Sequence, residues 1–236
     1  MLSKDFKEAF VSYRKKCTSL KVHEAWGALN TGRRKHDGGD RADVFTWRWY
    51  SEPHGYDFNG HLLRHPEGSI CIDPVQPSDP VLDELMRMGA ARIVITNRNH
   101  CRAANLVRDR LGARTTIHSE DAAHAGGQGT DIDDTLRAGE RIGPLEVIGV
   151  PGKSPGEVAL LWRDRRILIV GDAVIGHPPG RCSLLPEKVM DDPVRLRHSV
   201  RALLDLEFET LLVGDGVSIL SGAKDRLRDL TRQFPD

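Results

Sequence analysis

The side chains that could do chemistry in this sequence are concentrated in one short polar segment. Residues 93–95, Ile-Val-Ile, predict a buried strand, and the residues from Ala103 onward predict the start of a helix. Between them lie two carboxamides, an imidazole, a thiol and a guanidinium, on Asn97, Asn99, His100, Cys101 and Arg102. Proteins that alternate strands and helices commonly bind ligands where a buried strand ends. This turn is therefore the centre of the candidate site.

Three later segments add charged groups at comparable positions. Lys153 lies within Pro-Gly-Lys-Ser-Pro-Gly at 151–156. Asp172 follows Leu-Ile-Val-Gly at 168–171, and Asp215 follows Leu-Leu-Val-Gly at 211–214. Each aspartate thus comes directly after an apolar run that predicts a buried strand.

Short strands and amphipathic helices must position these groups. Strands are predicted at 44–50, 58–64, 69–72, 93–95, 115–118, 145–150, 158–162, 166–170 and 210–213. Helices are predicted at 79–89, about 103–111, from 119, at 191–204 and at 221–230, and two of them begin with a capping aspartate and an early proline. The strands between 145 and 170 are joined by turns rather than crossovers, which argues against a doubly wound parallel sheet. Two mixed sheets packed face to face, with helices outside, satisfy this order.

The turn and the three later segments resemble, in the same order, the signature of the metallo-β-lactamase fold, the superfamily that includes glyoxalase II and many lactonases and thioesterases. Its turn reads Thr-His-x-His-x-Asp-His, and its later segments read Pro-Gly-His-Ser-Pro-Gly, a strand ending in Asp, and a strand ending in Gly-His-Gly. The resemblance covers roughly residues 44–235. It implies an α/β (α+β) fold, a four-layer αββα sandwich of two mixed β-sheets, and one or two zinc or iron ions.

Most metal-ligand positions implied by the resemblance carry other residues here. Thr96 and Asp172 are retained, whereas the remaining positions read Asn97, Asn99, Cys101, Arg102, Lys153 and Asp215, and His100 falls on an x position. An arginine cannot lose its proton in a protein. A unit positive charge about 4 Å from a dication is repelled by roughly 8 kcal/mol at an effective dielectric of 20. We therefore expect no metal ligands and no cofactor.

Two interpretations of the altered site stay open. In one, Arg102 and Lys153 neutralise Asp172 and Asp215 in a buried ion-pair network that serves only the structure. In the other, the pocket binds a small anion through the surrounding donors, namely Asn97, Asn99, Lys153 and the amides of a helix that begins near Cys101.

Catalysis without a metal would need a base or a nucleophile, and Lys153 and Asp172 are the candidate catalytic residues. Cys101 lies beside a cation and a helix N-terminus, which favours a reactive thiolate, although a buried and inert cysteine is the commoner case. His100 could be a general base or a turn histidine with satisfied hydrogen bonds. A partial metal site from His100, Cys101, Asp172 and Asp215 would need a backbone rearrangement.

The loop from Ala173 to Met190 follows Asp172 directly, where loops of the family border the substrate cleft. Its residues His177 and Arg181 are candidate members of the pocket wall. The alternative is a proline-stiffened surface loop without a ligand.

Composition limits the partners of this 236-residue chain. It has 34 basic and 34 acidic residues, so no global basic surface predicts nucleic-acid binding. Neither a transmembrane run nor a signal-type N-terminus is present, and four widely spaced cysteines fit a reducing compartment, so we expect a cytoplasmic protein without a membrane partner.

Residues 1–42 are predicted to be an extension, with a helix over 3–16 that could contact a second copy in a homodimer, and residues 43–236 the αββα domain.

Two functions follow from these expectations. The first is a hydrolase-like protein without the usual metals, acting on esters, thioesters or lactones. The alternative is a non-catalytic pseudoenzyme that binds a small anionic ligand or a protein partner in the pocket that corresponds to the active site of the family.

Overall fold

The computed structural model describes residues 27–29 and 44–235, which form two mixed β-sheets. The first sheet runs in sequence order through β1 (Gly27–Leu29), β2 (Val44–Ser51), β3 (Tyr56–Leu63), β4 (Ile70–Ile72), β5 (Arg92–Ile95), β6 (Arg114–His118) and β7 (Asp134–Leu136). Neighbours from β1 to β4 are antiparallel. Neighbours from β4 to β7 are parallel, so their carboxyl ends lie at one edge.

The second sheet has the order β12-β11-β10-β9-β8. Its strands are β8 (Arg141–Ile142), β9 (Leu145–Gly149), β10 (Val158–Trp162), β11 (Ile167–Val170) and β12 (Thr210–Val213). Strands β8 to β11 pair antiparallel, and β11 pairs with β12 in parallel. The parallel pair brings the residues that follow Val170 and Val213 next to each other.

Helices cover the outer face of each sheet. They are α1 (Asp79–Met88), α2 (Ala104–Leu111) and α3 (Ser119–Gly127) on the first sheet, and α4 (Pro193–Ala202) and α5 (Ala223–Thr231) on the second. Short 3-10 turns occupy Arg163–Arg165, Glu187–Val189 and Leu203–Asp205. Three buried apolar layers result, one under each set of helices and one between the sheets, where residues such as Val94, Leu160 and Ile169 meet.

The predicted αββα sandwich is therefore confirmed, with local differences. Strands β1, β7 and β8 were not predicted, because each spans only two or three residues. Helix α2 begins at Ala104 rather than near Cys101, and α4 ends at Ala202. The predicted helix over 3–16 lies outside the described residues, and the division at residue 42 stays a prediction. In the part of the chain that the structure describes, no helix is long and apolar enough to cross a bilayer.

The two sheets are joined at the end where the candidate residues lie. Asn59 on β3 donates from Nδ2 to the carbonyls of Val213 and Gly216 over 2.9 Å. The Val158 amide donates to the Thr96 carbonyl over 2.9 Å. These bonds tie β3 to the end of β12 and the end of β5 to the start of β10, and they form the local framework for the site.

Candidate functional site

The polar turn after β5 is anchored by Asp73, the residue that follows β4. Its carboxylate accepts from the Thr96 amide at 2.8 Å and from the Thr96 hydroxyl at 2.6 Å. Asp73 has a φ of 46°, in the left-handed region that non-glycine residues adopt at a cost. Hydrogen bonds to two sides of the carboxylate hold this conformation, and they set the direction in which the turn leaves the strand.

His100 is fully buried between two carboxylates. Its Nδ1 lies 2.8 Å from Asp73 Oδ2, and its Nε2 lies 3.1 Å from Asp172 Oδ1. Burial and the nearby Arg102 lower the pKa of His100, but Asp172 and Asp73 outweigh them and raise it to about 10. The ring is therefore an imidazolium that donates from both nitrogens.

Arg102 pairs with the aspartate that follows β12. Its Nη2 donates to Asp215 Oδ1 over 2.6 Å, and its guanidinium stacks on the Phe58 ring at 4.0 Å. The side chain is 15% exposed. The second nitrogen, Nη1, is buried and has no hydrogen-bond partner among the described residues. Arg102 is thus a fixed cation with one unused donor.

Lys153 extends from the loop between β9 and β10. Its Nζ donates to Asn99 Oδ1 over 2.9 Å and lies 3.4 Å from Asp172 Oδ2. The buried carboxylate of Asp121 fixes this loop to the turn, because it accepts from the Arg98 amide, the Ser154 hydroxyl and the Gly156 amide. Asp121 positions Lys153 without touching it.

Asp172 and Asp215 are both preceded by a glycine, and close packing explains why. A Cβ on Gly171 would lie 2.3 Å from Thr96 Oγ1, and a Cβ on Gly214 would lie 2.5 Å from His100 Cε1. Burial raises the pKa of the Asp172 carboxyl, yet His100 and Lys153 together hold it well below its usual range. Burial also raises the pKa of Asp215, and Arg102 opposes that shift.

The two carboxamides are engaged inside the turn and its surroundings. Asn97 Oδ1 accepts from the Asn99 amide at 2.8 Å, and Asn97 Nδ2 donates to Glu157 Oε1 over 3.3 Å. Asn99 Oδ1 accepts from Lys153. Burial and the Asp172 charge raise the pKa of the Glu157 carboxyl well above its usual value, and its Oε2 has no partner among the described residues. Glu157 therefore lies at the edge of the cluster as a carboxyl group whose ionisation is disfavoured.

Three other candidates have different outcomes. Cys101 is half-buried, its Sγ contacts the Arg98 carbonyl at 3.5 Å, and burial raises the pKa of the thiol, so the structure argues against a reactive thiolate. His177 is exposed, and its ring lies 5.1 Å from the Tyr56 ring. Tyr56 lies at the edge of the site, because burial and the charges of Asp215 and Asp172 raise its pKa to about 12. His177 therefore contacts a residue that borders the cluster but is not itself part of the cluster. Arg181 is exposed and donates its backbone amide to the Pro178 carbonyl, and its side chain has no hydrogen bond or ion pair to the cluster among residues 44–235.

The structure brings together the four charged groups that the sequence predicts, and it adds His100 and Asp73. The four are Arg102, Lys153, Asp172 and Asp215. Three carboxylates, Asp73, Asp172 and Asp215, face three cations, and the cations are His100, Arg102 and Lys153. Sequence reasoning missed Asp73 and Glu157 as members of the site. Asp73 follows the apolar strand β4, as the other site residues follow β5, β11 and β12, and Glu157 directly precedes the five buried residues of β10. Both signals were available in the sequence.

Comparison with known proteins agrees with this fold. Residues 37–234 match the profile of the family described as Metallo-beta-lactamase superfamily. That match covers most of the chain, and the chain therefore belongs to the metallo-β-lactamase superfamily.

Individual relatives are distant. A hydroxyacylglutathione hydrolase of Methylobacterium nodulans is 30% identical over 175 residues, which cover 70% of this chain and 64% of the relative, so the chain spans just under two thirds of that protein. The metallo-β-lactamase FIM-1 from Pseudomonas aeruginosa, solved in a mono-zinc form, is 16% identical, with a TM-score of 0.68 over 89% of this chain and 95% of its own. A protein solved in a di-iron-bound form is 23% identical, with a TM-score of 0.59 over 73% of this chain and 94% of its own. At these identities the solved structures show a shared fold alone.

The ligand positions implied by the family do not fit a divalent metal pair in this chain. Zinc is bound by thiolate, imidazole or carboxylate. Here a guanidinium lies 2.6 Å from one of the two carboxylates at those positions, and an ammonium lies 3.4 Å from the other. A different set of donors does converge, because ligand atoms of His100, Asp172 and Asp215 all lie within 4.8 Å of one another. That set forms without a backbone rearrangement and excludes Cys101.

Proposed function

We propose that this chain is a metal-independent member of the superfamily that binds a small anion and does not hydrolyse it. The observation that carries the proposal is the state of Arg102. Its Nη2 is paired with Asp215, and its Nη1 is buried without an acceptor among the residues that the structure describes. A buried donor without a partner costs about 1–3 kcal/mol, and an anion at Nη1 would remove that cost.

The charge balance around Arg102 is consistent with this role. The three carboxylates and three cations of the cluster sum to zero, so a metal ion is not needed to neutralise the acidic side chains. A small anion, such as a halide or a carboxylate, would accept from Nη1 of Arg102, whose guanidinium is held in place by its stacking on the Phe58 ring.

Neither of the two catalytic candidates from the sequence is a suitable general base in this arrangement. A general base works best when its pKa lies near the working pH. The pKa of Asp172 is held far below that range, and Lys153 is engaged as a donor to Asn99 and as the ion-pair partner of Asp172. The two catalytic candidates from the sequence are therefore better described as partners in an ion pair.

Thioester hydrolysis is the second candidate, and one comparison favours it. The relative from Methylobacterium nodulans is described as a hydroxyacylglutathione hydrolase, which is a thioester hydrolase. For this chain, such an activity would have to use Lys153 or Asp172 without a metal.

Two measurements on the same preparation test the proposal. Protein purified without chelator is analysed for zinc, iron and manganese, and is assayed against a panel of esters, thioesters and lactones. Chloride, acetate and phosphate are then titrated by calorimetry into the wild type, into Arg102→Met, and into Arg114→Met. The last variant is a control, because Arg114 pairs with Asp134 on the exposed surface.

We expect no stoichiometric metal, no turnover, and saturable binding of at least one anion that Arg102→Met loses and Arg114→Met keeps. Turnover that Lys153→Ala or Asp172→Ala abolishes would support the second candidate instead. One equivalent of metal in the wild type, or anion binding that is unchanged in Arg102→Met, would refute the proposal.

A further inference from the structure

We infer that Arg102 excludes a divalent cation from a latent three-donor site formed by His100, Asp172 and Asp215. The inference rests on the proposed metal-independent state of the wild type and assigns that state to one side chain. The three donors are not the ligand set that the family resemblance implies, because His100 occupies an x position of the turn.

The donor atoms already have spacings that suit a small metal ion. His100 Nε2 lies 3.1 Å from Asp172 Oδ1 and 3.9 Å from Asp215 Oδ1. Tetrahedral zinc with bonds of about 2.0–2.2 Å places its donor atoms roughly 3.3–3.6 Å apart. The observed spacings bracket that range, so small side-chain movements would complete the coordination.

The support behind the imidazole is also in place. A metal-binding histidine commonly donates its other ring nitrogen to a carboxylate, which fixes the ring. Here His100 Nδ1 meets Asp73 Oδ2 at 2.8 Å, and Asp73 is itself held by the amide and hydroxyl of Thr96. Nε2 is consequently aimed at the point between Asp172 and Asp215, and an ion bound there would displace the proton that Nε2 carries in the wild type.

Arg102, rather than Lys153, blocks this point. The guanidinium binds Asp215 Oδ1, which is the same oxygen that faces His100 Nε2. Lys153 lies against Asp172 Oδ2, whereas Asp172 Oδ1 is the oxygen that faces His100. Removing the guanidinium would free the third donor and leave one negative charge in excess, whereas removing Lys153 would leave Arg102 on Asp215.

The test compares metal binding by variants that differ at one position. Zn²⁺ and Mn²⁺ are titrated into wild type, Arg102→Met, Lys153→Met and the surface control Arg114→Met, with isothermal calorimetry and metal content after gel filtration as readouts. We expect Arg102→Met to bind one equivalent of Zn²⁺ at least about 100-fold more tightly than the other three proteins, as the loss of repulsion from a nearby fixed charge requires. The double variant Arg102→Met/Asp215→Asn should lose that gain.

Arg102→Gln provides a second test, because it keeps a polar side chain beside Asp215 if the methionine variant does not fold. Equal and weak Zn²⁺ binding by wild type and both Arg102 variants would overturn this inference while leaving the metal-independent wild type intact. Tight binding by the wild type would overturn the proposed function as well. If Zn²⁺ affinity rises as much in Lys153→Met as in Arg102→Met, exclusion of the cation is not specific to Arg102, and the inference is wrong.

Discussion

Replacing Lys153 by methionine should destabilise the protein strongly, because it leaves a buried carboxylate short of a cation. The Nζ of Lys153 lies 3.4 Å from Asp172 Oδ2, and the side chains are 8% and 6% exposed. At an effective dielectric of 20, a pair of unit charges at that separation attracts by about 5 kcal/mol before desolvation is subtracted. Removing one partner of a buried pair typically costs about 3–5 kcal/mol.

We expect the lower end of that range, about 3 kcal/mol, because His100 still donates to the other oxygen of Asp172. The measurement is urea unfolding at pH 7 for wild type, Lys153→Met, Asp172→Asn and the double variant. The two single changes should be non-additive by roughly 2 kcal/mol, since they share one interaction.

Lys224→Met is the matched control for this cycle. Lys224 lies closer to its partner, at 2.7 Å from Glu207, but that carboxylate is 72% exposed and water screens the pair. Its loss should change the free energy of unfolding far less than the loss of Lys153. Equal effects of the two lysine substitutions, or additive effects within the cycle, would show that Lys153 is not part of a desolvated ion pair.

Two further predictions concern residues that surround the cluster. Burial lowers the pKa of His61 to about 4, so wild-type stability should fall by up to roughly 3 kcal/mol as the pH drops from about 6.5 to 4, and urea unfolding of His61→Gln should show a smaller fall. Gly214→Ala should lose about 1–3 kcal/mol in the same assay, because its Cβ would overlap His100. Gly126→Ala on α3 has open space and should be neutral or stabilising, so a loss there equal to that of Gly214→Ala would contradict the steric argument.

The fold could be predicted because its signals are local and repeated. Four polar or glycine-bearing segments each follow an apolar run, which places the site at strand ends. The turn-joined strands and the resemblance to a known family then predict two sheets. Strands β7 and β8 could not be predicted in this way, since two or three residues with charged neighbours carry no clear alternation. They form because tertiary pairing with β6 and β9 supplies the hydrogen bonds.

The orientation of His100 could not be read from the sequence, and this changed the description of the site most. An x position of the turn gives no reason to expect a buried imidazole. The ring turns inward because the carboxylate of Asp73, at the end of the neighbouring strand β4, pairs with its Nδ1, and because Gly214 leaves room for the ring. Both causes depend on residues that are distant in sequence and adjacent only in the folded sheet.

The charges of this cluster depend on one another, and that dependence explains why single substitutions should be informative. Asp172 pairs with His100 through Oδ1 and with Lys153 through Oδ2. Asp215 pairs with Arg102 through Oδ1, and the same oxygen faces His100 Nε2. Removal of Lys153 therefore takes a positive partner from Asp172, whereas removal of Arg102 takes one from Asp215. Loss of Lys153 leaves a charge that His100 partly compensates, so its main consequence is reduced stability. Loss of Arg102 frees an oxygen that already faces an imidazole nitrogen, so its main consequence is a new affinity for a cation.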